Sequence, residues 1–186
     1  MHRVLKKDQI LTIPNLLSII RLALIPLIVG LYCVRQDYNA AVIVILISGA
    51  TDIIDGFIAR HFNMVSDFGK ILDPLADKLT QAAVIICLIT KHKLMLVLII
   101  LFAVKELIMG TFGFLAIKKK DSVNSAKWYG KANTVILYVV MMLLILFPGM
   151  PEALSNALIV LCGAIMMLSL LLYTRFYIKL FSDKTK

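Results

Sequence analysis

Cysteine is scarce and unpatterned in this chain. Cys33, Cys87 and Cys162 each lie inside an apolar run, and none belongs to a CxxC or Cys/His arrangement. That leaves no pattern for a zinc or thiol redox centre, and packing is the expected use of all three. Acidic residues are also few: eleven Asp and Glu stand against twenty Lys and Arg, for a formal charge of +9. A basic excess of this size suits nucleic acid where the cations line a groove with exposed aromatics. Here they gather in short clusters between apolar runs, so no nucleic-acid partner is expected and anionic lipid headgroups are. The features of a cleaved signal peptide are missing as well. The first apolar segment runs full length to Cys33, where a signal peptide would have a short core and a small-residue cleavage site, so it reads as a retained span.

What the chain has in abundance is apolar sequence. At 61% apolar content and a mean hydropathy of +0.93, it lies far outside the range of water-soluble domains. A helix needs roughly 20 apolar residues to cross about 30 Å of hydrocarbon. Six segments qualify, near 14–34, 39–61, 70–90, 94–117, 130–147 and 153–176. The links between them are short, and no separate soluble domain fits. The expected fold is therefore an all-α integral membrane protein with six transmembrane helices, residues 1–186 forming one domain. Ahead of Pro14, Met1–Thr12 mixes Arg3, Lys6 and Lys7 with Val4, Leu5, Ile10 and Leu11. This suits either a short N-terminal interfacial helix or an unstructured basic tail.

Positive charge sets the orientation, because cytoplasmic loops collect Lys and Arg. The N-terminus, the second and fourth links and the C-terminal tail hold fourteen of them, from Arg3 to Lys186, whereas the opposite side holds Arg35, Lys91 and Lys93. Both termini and the loop after His61 are expected to face the cytoplasm of a cell membrane.

Charged residues inside spans are costly and usually functional. Asp52 and Asp55 fall near the cytoplasmic end of the second span, and Asp73 and Asp77 in the first turns of the third. Offsets of three and four residues put each pair on one helix face, so both pairs can point into one cavity. Four carboxylates there cannot all stay ionised without compensation. All-oxygen ligation without Cys or His favours a hard ion, Mg²⁺ or Mn²⁺, completed by water and substrate phosphate. A diphosphate substrate follows. Two other readings remain at this point: buried salt bridges to Arg21, Arg60, Lys70 and Lys78, or a cation transporter whose pathway the acids line. Clustering toward one surface argues against the second, since transport sites lie near the midplane at interrupted helices.

Asp52-Ile-Ile-Asp55-Gly56-Phe-Ile-Ala59-Arg60, eight further residues, then Gly69-Lys-Ile-Leu-Asp73-Pro-Leu-Ala-Asp77 resembles, without a gap, the DxxDGxxAR and GxxxDxxxD signature of the CDP-alcohol phosphatidyltransferase family. The resemblance extends to the six-span layout and so to nearly the whole chain. It implies that Asp52, Asp55, Asp73 and Asp77 hold two metal ions, Mg²⁺ or Mn²⁺, against the diphosphate of CDP-diacylglycerol. It implies that Gly56, Ala59 and Gly69 are small so that cytidine and ribose approach the helix backbones. Arg60 pairs with an aspartate, reaches a phosphate or anchors its span. Asp77 is also implied as the base that deprotonates the acceptor hydroxyl, which attacks the phosphorus bearing the lipid and releases CMP. A homodimer through membrane spans is implied too.

The acceptor alcohol is less legible. Thr12-Ile-Pro-Asn15-Leu-Leu-Ser18-Ile-Ile-Arg21 resembles the opening of two subfamilies, the phosphatidylglycerophosphate synthases and the CMP-forming cardiolipin synthases. Asn15, Ser18 and Arg21 share one side of a helix, so Arg21 can reach the site from the first span. Lys105-Glu106 stands where glycerophosphate-using members show Arg-Glu, and Gly130-Lys131-Ala-Asn-Thr134 resembles their GKxKT segment. These features make glycerol 3-phosphate the leading acceptor, bound by Lys131, Lys105 and Arg21, and phosphatidylglycerol the alternative. One departure weakens the lead: Met109-Gly-Thr-Phe-Gly113 has no cation where a second arginine is expected.

Overall fold

A computed structural model describes residues 12–61, 68–120 and 128–182, apart from the side chains of Ile53, Gly56, Ala59, Arg60, Lys70, 114–120 and 179–182. The described chain is all helix and turn, as the long apolar segments predict. Six α-helices follow in order: α1 (Ile13–Val29), α2 (Tyr38–His61), α3 (Gly69–Ile89), α4 (Met95–Lys120), α5 (Trp128–Leu146) and α6 (Glu152–Ser182). Each overlaps one of the six expected spans. The candidate surface helix before Thr12 lies outside the described residues.

Local sequence explains several ends. Thr12 caps α1, its hydroxyl accepting from the Asn15 amide at 3.4 Å, with Pro14 in the first turn, where a missing N–H costs nothing. The helix then widens into a π-helical turn, Gly30–Val34, closed by the Arg35 amide on the Gly30 carbonyl at 3.0 Å. Gln36, at φ 55°, reverses the chain, and the Asp37 carboxylate caps α2 through the Ala40 amide at 3.0 Å.

Two compact units emerge, one through Cys87 and the other from Leu88. In the first unit α1 packs along α2, and the distribution of polarity is inverted relative to a water-soluble helix pair. The buried face of α1 carries Asn15, Ser18 and Arg21, while Ile13, Leu16, Ile19, Ile20 and Leu27 are exposed. Apolar side chains face outward because hydrocarbon is the outer solvent, and polar ones turn in because only the protein can satisfy them. In the second unit α6 packs against both α4 and α5. Its buried positions Ser155, Ile159, Cys162, Met166, Ser169, Tyr173 and Tyr177 recur at alternating steps of mostly four and three, the seam spacing of side-by-side helices.

Among the described residues, four helical stretches are long and apolar enough to cross a membrane: Ile13–Val34, Met95–Gly113, Trp128–Leu146 and Glu152–Ile178. The chain is thus a multi-pass membrane protein by length and composition. In α2 the strongly apolar stretch is the shorter Tyr38–Asp52, and α3 carries Asp73, Asp77, Lys78 and Gln81 along its first half.

Candidate active site

The aspartates meet a single face of α1. Asn15, Ser18 and Arg21 follow at intervals of three and are at most 2% exposed, so they form a buried polar ridge one turn apart from each other. From this ridge Arg21 reaches α2, where its Nη1 lies 2.7 Å from Asp52 Oδ1 and its Nη2 donates to Asp55 Oδ2 at 2.5 Å. One turn earlier the Ser18 hydroxyl hydrogen-bonds Asp73 Oδ1 on α3 and lies 3.0 Å from the Pro14 carbonyl. Two consecutive turns of α1 therefore gather carboxylates from both aspartate-bearing helices. The sequence places Arg21 within reach of this site, and its partners in the structure are Asp52 and Asp55.

The four carboxylates differ in setting. Asp55 is buried, whereas the Asp52 side chain is 47% exposed, so the ion pair is closed on one side and open on the other. Burying a carboxylate is costly without a cation or several donors beside it, and Arg21 supplies the cation. Asp77 accepts from Gln81 Nε2 at 2.9 Å one turn along α3, and Gln81 itself is buried with its Oε1 unpaired among the described residues. Gln81 was not anticipated as part of the site. Its i+4 offset from Asp77 is the signal that could have revealed it.

The donor set suits a hard divalent cation: it is all carboxylate, with no thiolate or imidazole among these residues. The lodged guanidinium likewise shows that the Asp52/Asp55 corner accommodates positive charge. Among the described residues, no three acidic, His or Cys side chains converge into a ready-formed metal cluster. Asp52 and Asp55 lean on Arg21, Asp73 on Ser18 and Asp77 on Gln81.

The small residues of the motif are only partly described. Gly69 is buried at the start of α3, while the surroundings of Gly56, Ala59 and Arg60 in α2 lie outside the described residues. In the second unit, Lys105 is buried in α4 with Nζ 2.9 Å from Glu106 Oε1, and Lys131 is exposed in the first turn of α5. Beside Lys131, Gly130 has a packing role. A Cβ there would lie 2.2 Å from Tyr173 Oη and 3.0 Å from two ring carbons. Tyr173 belongs to an aromatic cluster with Tyr129, Phe112, Phe176 and Tyr177. In the segment that lacks the second arginine, Phe112 stacks on Tyr177 at 5.5 Å.

A model of the CDP-alcohol phosphatidyltransferase family matches residues 11–174, a span that includes every residue of this site. The chain belongs to the CDP-alcohol phosphatidyltransferase family. Among curated relatives, it is 37% identical over 110 residues to a CDP-diacylglycerol–glycerol-3-phosphate 3-phosphatidyltransferase of Rickettsia bellii, covering 58% of this chain and 61% of the relative. It is 32% identical over 148 residues to a CMP-forming cardiolipin synthase of Streptomyces coelicolor, covering 76% and 68%. A third match, to the CMP-forming cardiolipin synthase of Rattus norvegicus, is 50% identical over 68 residues but covers 36% of this chain and 22% of the relative. The chain spans about three fifths of the length of the Rickettsia relative. CDP-alcohol phosphatidyltransferases generally use divalent metal ions.

Proposed function

We propose that this chain transfers the phosphatidyl group of CDP-diacylglycerol to the hydroxyl of glycerol 3-phosphate, releasing CMP and forming phosphatidylglycerophosphate. The observation that carries the reading is the convergence of Asp52, Asp55 and Asp73 on Ser18 and Arg21, consecutive turns of one helix. It gives the family's aspartate motif a common location.

Asp52, Asp55, Asp73 and Asp77 would hold two Mg²⁺ or Mn²⁺ ions, which when bound would neutralise the diphosphate and stabilise the departing CMP. Asp77, oriented by Gln81, accepts the proton of the acceptor hydroxyl. That oxygen bonds to the phosphorus bearing the lipid as the bond from this phosphorus to the CMP oxygen breaks. Gly56, Ala59 and Gly69 give the cytidine and ribose close access to backbone, and Arg60 serves a phosphate. Lys131 and Lys105 provide cations for the acceptor's phosphate. Arg21, drawn to Asp52 and Asp55, serves the donor side. The distribution of Lys and Arg supports a cell-membrane location with both termini and the aspartates on the cytoplasmic side, and the family supports a homodimer.

A second reading, CMP-forming cardiolipin synthase with phosphatidylglycerol as acceptor, is favoured by the cation-free Met109–Gly113 segment and the Streptomyces relative. Purified full chain with CDP-diacylglycerol, Mg²⁺ and either acceptor separates them. The proposal expects phosphatidylglycerophosphate from glycerol 3-phosphate. Cardiolipin from phosphatidylglycerol, with glycerol 3-phosphate ignored, would establish the second reading.

A further inference from the structure

The oxygens that a divalent cation would use at Asp52 and Asp55 are held by a cation of the chain itself. Arg21 is 2% exposed, it cannot shed its charge, and a buried charge without an anion is strongly destabilising. Its hold on the aspartates is nevertheless incomplete. A guanidinium has five N–H donors. Nη2 makes an aligned bond to Asp55, whereas Nη1 is near Asp52 but out of line, and Nε has no partner among the described residues. Buried donors left unpaired favour any ligand that brings acceptor oxygens. The fork of a guanidinium matches two phosphate oxygens. An ion at about 2.0–2.1 Å from these carboxylates would repel a guanidinium 2.5–2.7 Å from the same groups. Asp52 is the exposed side from which an ion can enter.

We propose that Arg21 is an exchangeable counter-cation, which competes with the divalent ion for Asp52 and Asp55 and, once displaced, pairs with a phosphate of the nucleotide-linked lipid. The inference rests on the reading of these aspartates as metal ligands. Arg21 is thus a positioning residue: it holds the carboxylates in place until ion and lipid arrive together, and it makes their binding mutually reinforcing.

Mn²⁺ binding to the detergent-purified full chain, followed by electron paramagnetic resonance, tests this in wild type, Arg21→Gln and Arg21→Lys, with and without CDP-diacylglycerol. Without lipid, Arg21→Gln should bind Mn²⁺ about tenfold more tightly, since a competing charge is gone. Its melting temperature should fall without Mn²⁺ and recover with it. CDP-diacylglycerol should tighten Mn²⁺ binding more in wild type than in Arg21→Gln, because wild type alone has a guanidinium to transfer. Arg21→Lys, which keeps the charge but loses the fork, should keep the competition and lose part of the lipid effect. If Arg21→Gln does not fold, the Arg21→Lys comparison decides. Unchanged or weaker Mn²⁺ binding in Arg21→Gln, or an undiminished lipid effect in Arg21→Lys, would overturn the exchange and leave Arg21 a structural ion pair. Absence of Mn²⁺ binding in wild type with and without lipid would instead bring down the metal reading of the aspartates.

Discussion

Gly130→Ala is the substitution whose cost follows most directly from the structure. The new methyl would lie 2.2 Å from Tyr173 Oη and 3.0 Å from Cε2 and Cζ, whereas carbon contacts are comfortable near 3.5–4.0 Å. The ring must recede by more than an ångström at its tip, yet it is 5% exposed, with the Tyr129 ring centroid 4.6 Å away and that of Tyr177 at 6.4 Å. Overpacking of this kind costs about 1–3 kcal/mol, offset by the roughly 0.8–1 kcal/mol that Ala gains over Gly in a helix. A net loss of up to about 2 kcal/mol should lower the melting temperature by up to about 8 °C in a chain of this size. Thermal unfolding in detergent checks it against two further variants. Gly110→Ala, where a Cβ meets nothing within 4 Å, should be neutral or slightly stabilising. Gly130→Ala with Tyr173→Phe, which deletes the nearest atom, should recover more than half of the loss. A Gly130→Ala protein as stable as Gly110→Ala, or a double variant with no recovery, would refute the packing argument.

Lys131→Ala should raise the KM for glycerol 3-phosphate roughly ten- to a hundredfold, the weight of one charge-assisted contact, with little change in the KM for CDP-diacylglycerol; unaltered acceptor kinetics would make Lys131 a headgroup anchor. Stability should depend on pH through His92, in the turn before α4, whose pKa is lowered from 6.5 by burial and by the neighbouring Lys91. The folded protein then binds fewer protons than the unfolded chain, so stability should be full above about pH 6.5 and fall as the pH drops through the lowered value. Melting curves from pH 5 to 8, flattened by His92→Gln, would show it. In a background without native cysteines, Lys93→Cys should react with an impermeant thiol reagent from outside intact cells, and labelling only after lysis would invert the proposed topology.

The six helices were legible in the sequence because hydrocarbon thickness and backbone hydrogen bonding leave a membrane chain few options. The polar ridge of α1 was legible too, since Asn15, Ser18 and Arg21 recur at helical spacing inside an apolar span. Which carboxylate each would meet was not, because that depends on how α1, α2 and α3 rotate about their axes, and three similarly apolar helix surfaces leave no local trace of it. Gly130 shows the same limit. The resemblance makes it part of a GKxKT-like segment, but its closest neighbour, Tyr173, lies 43 positions along the chain, and nothing near either residue announces the other. The widened turn at Gly30–Val34 and the extension of α6 to Ser182 were also hidden, because hydropathy does not distinguish helix types or report where a helix continues past the membrane.

The central claim is that the aspartates of α2 and α3 support metal-dependent phosphatidyl transfer, and CMP release tests it most directly. Purified full chain in detergent is supplied with CDP-diacylglycerol and glycerol 3-phosphate, with Mg²⁺ or with excess EDTA, and compared with Asp73→Asn. The account predicts CMP release by wild type in Mg²⁺, none in EDTA, recovery when Mg²⁺ is restored, and none from Asp73→Asn at a melting temperature showing that it remains folded. Full turnover in EDTA, or by folded Asp73→Asn, would contradict it.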